Sequence, residues 1–234
     1  MIEIIRNYEM LGNLVWLYAG AFLLAIIFAM CSHEYAHAKV AYNCGDDTAK
    51  LSGRMTLNPL KHVDLLGALS FLLVGFGWAN PVPINPRKFK DYRKGIFLTS
   101  IAGITTNFII CFFSCGLSIL MMFFATMTIS NAGELNVWYY ILFFIHLVFE
   151  YSATVNFSLC LFNLLPIYPL DGFNVMQSLT KGTNKFVLFM RKYGTYILLA
   201  LLLTTVLEIG MGYAVNFILE PIQLFWMRVL TGVV

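Results

Sequence analysis

Two histidines and a glutamate stand together in the stretch CSHEYAHA, Cys31 to Ala38, directly after a long run without a charged residue. His33 and His37 are four residues apart, so on a helix their rings share one face about 6 Å apart. Both rings can then bind a single zinc ion at about 2 Å. Glu34 lies beside that ion without binding it and can take a proton from a metal-bound water. The spacing therefore predicts two metal ligands, His33 and His37, and a general base, Glu34.

A catalytic zinc site usually has three protein ligands and a water, so a third ligand is needed. The extended spacing HExxHxxGxxH does not supply it, because Val40 and Asn43 occupy the positions of the glycine and the third histidine. The remaining candidates are His62, His146, Glu150, Cys44 and Asp171.

Asp171 is favoured among these candidates because it follows an apolar run, NLLPIYPLDG, at the same predicted end of the membrane as His33 and His37. Its alternative role is to cap a helix at the membrane edge. Glu150 is the second choice, although His146 is one helical turn away and the two can hydrogen-bond each other. His62 lies in a basic polar loop and is expected to be solvated.

The composition places the chain among polytopic membrane proteins, with 59% hydrophobic residues, 12% charged residues and a mean hydropathy of +0.77. The net charge of +3 is too small to indicate a nucleic-acid partner. The five cysteines form no CxxC pair and are interpreted as reduced packing residues. We expect a single membrane-embedded domain, residues 1–234, with the first apolar run retained.

Long runs with few or no charges predict the spans, since a transmembrane helix needs about 20 apolar residues. These runs are about Met10 to Ser32, Gly95 to Gly133, Leu135 to Leu170 and Tyr193 to Leu219. The run Leu65 to Pro86 is rich in glycine and proline and suits a re-entrant segment, about residues 63–86, that a β-hairpin would fit. The predicted fold class is an all-α polytopic membrane protein with about five to six transmembrane helices and this re-entrant segment.

Basic residues predict the orientation. Thirteen of the fifteen lysines and arginines fall in three segments, residues 39–61, 87–94 and 181–192. By the positive-inside rule these segments face the cytoplasm, which requires the run Leu65 to Pro86 to enter and leave on one side. The sequence thus predicts a multi-pass protein of the cell membrane with its zinc site towards the cytoplasm.

Four stretches together carry a family resemblance. They are HEYAHAKVAYNCGDDTAKLSGRMTLNPLKHVDLLG, GFGWANPVPINPRKFKDYRKG, SIAGITTN and FNLLPIYPLDG. The chain resembles the site-2 proteases, which are intramembrane zinc metalloproteases of peptidase family M50, and in particular their compact branch without PDZ or CBS domains. It departs from the common pattern where Phe173 follows the LDG motif and where Ile104 stands in the motif that often reads Gly-Pro-x-x-Asn.

The resemblance implies one zinc ion per chain, held by His33, His37 and Asp171, with Glu34 as the catalytic base. It also implies that Asn107 is a polar group near the substrate or the oxyanion, although an intramembrane asparagine can equally hydrogen-bond between helices. The implied reaction is hydrolysis of a peptide bond in the transmembrane segment of a single-span membrane protein within the lipid bilayer.

The alternative function is a membrane zinc-binding module or metal carrier without protease activity. A carrier has no use for Glu34 between its two histidines, and it typically repeats its ligands along a path, whereas one cluster is visible in the sequence. The sequence leaves the oligomeric state and the identity of the substrate open.

Overall fold

Helices make up most of the computed structural model, which describes residues 12–67, 70, 77–132, 136–180 and 184–232. The α-helices with described bounds are α1 (Val15–Asn43), α2 (Thr48–Leu51), α3 (Tyr92–Ala132), α4 (Val137–Leu164), α5 (Asp171–Leu179), α6 (Lys185–Leu202) and α7 (Thr205–Thr231). Three of them, α1, α3 and α4, are long and apolar enough to cross a membrane. The chain is therefore an integral membrane protein with a mainly helical architecture.

Helix α1 packs closely against α3 and α4 because its buried face carries small side chains. Ala21, Ala25 and Ala29 recur every four residues and are at most 1% exposed. Small residues at this interval let helix backbones approach each other in a membrane. The same interval continues to His33 and His37, so the stripe that packs α1 also carries the predicted ligands into the interior.

Glycine ends α1 at a defined place. Gly45 has a φ of +112°, and the amides of Gly45 and Asp46 donate to the carbonyls of Tyr42 and Ala41 at 3.0 and 2.9 Å. This pair of bonds is the Schellman arrangement that closes many helices with a glycine in the left-handed region. The chain consequently leaves α1 two turns after His37.

Helices α3 and α4 form an antiparallel pair, and α7 covers one side of it. The shared core contains two cysteines of α3, Phe157 of α4 and two aliphatic residues of α7. All five cysteines are free, and Cys31, Cys111, Cys115 and Cys160 are buried, as the sequence predicts. The Trp226 indole of α7 donates to the Phe112 carbonyl of α3 at 2.8 Å. This bond fixes the position of α7 along α3.

Part of the predicted re-entrant segment, residues 68–69 and 71–76, lies outside the described residues. On either side of that gap, Val63 and Ala79 form an antiparallel β-bridge, and the Asn80 amide donates to the His62 carbonyl at 2.7 Å. No strand longer than this bridge occurs in the parts of the chain that are described. Neither the β-hairpin nor a total of five to six spans is thereby confirmed.

The predicted last helix, Tyr193 to Leu219, differs from the structure. Helix α6 begins earlier, at Lys185, and ends at Leu202, and α7 begins at Thr205. The Thr204 hydroxyl donates to the Leu201 carbonyl at 2.9 Å, and the Thr204 backbone is extended. A threonine suits this position because its side chain can replace backbone bonds at a helix junction. Apolar composition alone could not locate this break.

We predict that Gly116→Ala weakens the docking of α7. A Cβ at Gly116 would lie 2.6 Å from the Trp226 ring, which its hydrogen bond holds in place. Overpacking of this kind costs about 1–3 kcal/mol, and the free energy of unfolding, measured by denaturant titration in detergent, should fall accordingly. Gly210→Ala in α7 is the control, because a Cβ there meets no atom of the described residues within 4 Å. An equal effect of the two changes would contradict this account.

Candidate metal centre

Three side chains from two helices meet in the interior. The His33 and His37 Nε2 atoms lie 2.9 Å apart, and Asp171 Oδ2 lies 3.2 Å from the first and 3.1 Å from the second. Both histidines are less than 9% exposed. Among the described residues, this is the one group of three or more potential ligands close enough to share a metal ion.

The donor set fits zinc. His37 Nδ1 lies 2.7 Å from the Thr99 carbonyl, which can only accept, so Nδ1 carries the proton and Nε2 presents a lone pair to the cluster. Asp171 Oδ2 is buried and has no hydrogen-bond partner among the described residues. In a tetrahedral zinc site with ligands at about 2.0–2.1 Å, neighbouring ligand atoms are about 3.3 Å apart. The observed separations are close to that value, so His33, His37 and Asp171 can hold a zinc ion.

Two glycines let the ligand-bearing elements approach. Gly103 of α3 faces the two imidazoles, and a Cβ there would lie 2.5 Å from His33 Cε1 and 2.7 Å from His37 Nε2. Gly172 lies against the end of α4, where a Cβ would be 2.3 Å from the Leu164 carbonyl oxygen. The first contact seats the histidines against α3, and the second places the first turn of α5 so that Asp171 reaches them.

Glu34 is held by the main chain of another segment. The Val82 amide donates to Glu34 Oε2 at 2.9 Å. Val82 is 7% exposed and packs against Ala38 and Ala49. The carboxylate predicted to act as a base is thus directed by the segment that follows the predicted re-entrant turn.

The segment that carries Val82 is hydrogen-bonded to residues that follow α1. The Arg54 guanidinium donates to the carbonyls of Asn80 and Pro81 at 2.6 and 3.2 Å, immediately before Val82. On the other side of Val82, the Asn85 amide donates to the buried Asp46 carboxylate at 2.6 Å. These contacts hold the backbone in place on both sides of the Val82 amide.

An ion pair outside the spans adds to this attachment. Lys88 Nζ lies 2.6 Å from Asp47 Oδ1, and the Lys90 amide donates to the Cys44 carbonyl at 3.0 Å. The hydrogen bond from Lys88 lowers the pKa of Asp47 below its usual value, so this carboxylate stays ionised in neutral solution. Because both side chains are well exposed, the pair orients the loop more than it stabilises the fold.

The other candidate ligands lie elsewhere. His146 Nε2 is 3.1 Å from Glu150 Oε2, and His146 Nδ1 is 3.0 Å from the Ser118 carbonyl, so the two residues pair with each other within the spans. Neither these two residues nor Cys44 joins the group of three possible ligands.

The expectation that His62 is solvated was wrong. Its side chain is fully buried, and its Nε2 lies 2.7 Å from the Thr56 carbonyl, to which it donates. Val63, the next residue, forms the antiparallel bridge to Ala79. His62 therefore has a packing role in the loop, away from the metal centre.

Asn107 is fully buried on α3, one turn after Gly103. Neither its amide nitrogen nor its carbonyl oxygen has a hydrogen-bond partner in the described part of the chain. The helix-to-helix hydrogen bond considered for this residue is therefore not formed with any described group. A buried amide without partners is costly, which leaves room for a role towards a bound molecule.

The model of peptidase family M50 matches residues 21–205, which include every residue of the metal centre. The chain belongs to this family. It is a site-2 protease-like intramembrane zinc metalloprotease, and Zn²⁺ is its metal. This membership disfavours the metal-carrier alternative.

Named relatives agree with the family. The chain is 39% identical over 184 residues to "Putative zinc metalloprotease YwhC" of Bacillus subtilis (strain 168), covering 78% of this chain and 80% of the relative. Rip2 of Mycolicibacterium smegmatis bears the same description and is 27% identical over 84% of this chain and 76% of its own. Rip2 of Mycobacterium tuberculosis (strain H37Rv) is 25% identical over 95% and 83%. No solved structure matches the chain.

Sequence reasoning missed several residues that shape the centre. Thr99 and Val82 act through backbone atoms, which the identity of a side chain does not reveal. Arg54 appeared as one more basic loop residue. Gly103 lies in the SIAGITTN motif four residues before Asn107, and this helical interval was the available signal that it faces the same side.

We predict that Gly103→Ala displaces the imidazoles and lowers zinc content, because its Cβ would lie within 2.7 Å of both rings. Metal analysis of the purified protein should give well below one zinc per chain, with cleavage lost in proportion. Gly20→Ala makes the same change in α1 at ordinary van der Waals distance, 3.7 Å from Phe144, and should keep full zinc. Normal zinc in Gly103→Ala would contradict the packing argument.

We also predict that Arg54→Ala separates catalysis from metal binding. Losing the contacts to Asn80 and Pro81 should free the Val82 amide and misalign Glu34, while the three ligands stay in place. A misplaced catalytic group costs up to about 100-fold in rate, so kcat should fall roughly 10- to 100-fold at one zinc per chain. The control is Arg87→Ala, because Arg87 is exposed and lies in the segment that carries Val82. Unchanged kcat in Arg54→Ala would refute the alignment role.

Proposed function

We propose that His33, His37 and Asp171 are the zinc ligands of the protease and that Glu34 is its general base. The support is the triangle of ligand atoms with edges of 2.9–3.2 Å inside the membrane domain. Each ionisable group at bilayer depth costs about 2.5–3.5 kcal/mol on insertion scales, so such a cluster needs a cation to be stable.

A zinc ion held by His33, His37 and Asp171 would supply a Lewis acid that polarises the scissile carbonyl and makes the attacking water more acidic. Glu34 takes the proton from the attacking water and delivers it to the leaving amine. The Val82 amide orients the Glu34 carboxylate for both transfers, and the Thr99 carbonyl fixes the tautomer of His37.

Asn107 is proposed to donate a hydrogen bond to the carbonyl oxygen of the substrate or to the oxyanion that forms from it. Its buried amide has no partner among the described residues and lies on the α3 face that carries Gly103. A hydrogen-bond donor that has no partner in the free protein and bonds the negative charge that develops during the reaction stabilises the transition state more than the ground state.

For the topology, we propose the number of spans, the re-entrant segment and the orientation that the sequence predicts. Residues 1–234 form one membrane-embedded domain of the cell membrane with five to six spans, and about residues 63–86 form a re-entrant hairpin. The bridge from Val63 to Ala79 supports a return of the chain at this point. The three basic segments and the metal centre face the cytoplasm.

The proposed substrate is a membrane protein with a single transmembrane segment. Its scissile bond must leave the helical conformation, because the carbonyl of a helical residue is already bonded within the helix and closed to attack. Release of a cytoplasmic portion from its membrane anchor would follow from cleavage at this depth.

The test combines zinc content with cleavage of a model single-span substrate. Wild type should hold one zinc per chain, Glu34→Gln should keep the zinc with activity reduced at least about 100-fold, and Asp171→Ala should bind zinc weakly. Glu150→Gln is the matched control, since it makes the same change in a span away from the triad and should keep both zinc and activity. Full zinc in Asp171→Ala would refute the ligand assignment, and cleavage by Glu34→Gln would refute the base.

A further inference from the structure

A cavity of about 540 Å³ lies beside the metal centre. Thr99, whose carbonyl binds His37, lines it, as does Phe173, two residues after Asp171. Its volume lies within the range of sites that bind small ligands or short peptide segments. A substrate bound at the metal can therefore place neighbouring residues in this cavity.

One buried polar group of the cavity lining has no partner among the described residues. The Thr99 hydroxyl is buried and has no hydrogen-bond partner in the described part of the chain. Asn174 and Gln177 line the cavity from α5 with amides that could bond a peptide main chain. A buried hydroxyl without a partner and two amides that line the same space indicate that a polar ligand binds there.

The described lining of the cavity carries a positive charge. Among the described residues that line it, Arg191 of α6 is the single charged one, and none is acidic. Packing places the helix backbone near Arg191, because Gly194, one turn further on, lies against Tyr168 so closely that a Cβ would be 2.9 Å from the Tyr168 carbonyl oxygen. The Arg191 side chain itself is exposed. A guanidinium remains charged at any relevant pH and binds carboxylates with two parallel hydrogen bonds.

We propose that this cavity binds the part of the substrate that leaves the membrane next to the scissile bond, and that Arg191 selects an acidic residue there. This inference rests on the proposed protease function. The cytoplasmic flanks of most membrane spans carry lysine and arginine. Arg191 would therefore make the protease prefer the less common substrates whose flank is acidic. A basic flank would meet Arg191 with like charge, whereas an acidic flank would form an ion pair beside the metal centre.

The test uses single-span substrates that differ in one residue of that flank, Asp, Asn or Lys. Wild type should cleave the Asp substrate with a kcat/KM about tenfold or more above the Lys substrate, since each 1.4 kcal/mol of differential binding is a factor of ten. Arg191→Glu should reverse the order, and Arg191→Lys should keep it. Lys192→Glu is the matched control, because its ammonium lies over the Tyr193 ring, 5.0 Å from the centroid, and does not line the cavity. Reversal in Lys192→Glu as well would overturn a specific role of Arg191.

Binding to the Glu34→Gln protein separates this inference from the proposed function. Fluorescent peptides that carry the same three flanks should bind in the order Asp, Asn, Lys, and Arg191→Glu in that background should reverse this order. Zinc content verifies that each variant is folded. Ordered binding without any cleavage by wild type would support the cavity assignment and refute the protease assignment. Equal binding of the three peptides would overturn the cavity assignment.

Discussion

The close approach of three candidate ligand atoms in a medium that solvates charge poorly is the constraint on which the rest of the structure depends. His33, His37 and Asp171 present nitrogen and oxygen atoms to one another at 2.9–3.2 Å within the membrane domain. Without a cation this arrangement would carry unpaired polar groups at high cost. Gly103 and Gly172 make the approach possible, and backbone contacts fix the orientation of the groups that take part.

Helix packing and metal binding use the same periodicity in α1. Ala21, Ala25 and Ala29 allow close contact with the neighbouring helices, and the next two steps of four residues are His33 and His37. The helix thus carries the two candidate ligands on the face that it buries against its neighbours.

The sequence allowed the prediction of the parts that depend on local spacing or on depth in the membrane. The HEYAH spacing placed His33 and His37 together, and depth along the spans favoured Asp171 over Glu150. The environment of His62 was predicted incorrectly, because the polarity of a loop says nothing of how it folds over its own side chains. The break at Thr204 depends on one hydroxyl, and the support of Glu34 depends on a backbone amide 48 residues away.

The main-chain contacts of the site also affect how it can be inherited. The Thr99 carbonyl and the Val82 amide would be supplied by almost any residue at those positions, proline at position 82 excepted. Mutational drift at both positions is therefore compatible with the same chemistry, provided the packing is kept. Homologous proteins could therefore differ in sequence at these two positions and still have the same metal centre. At these positions, homology would be easier to detect from backbone geometry than from side-chain identity.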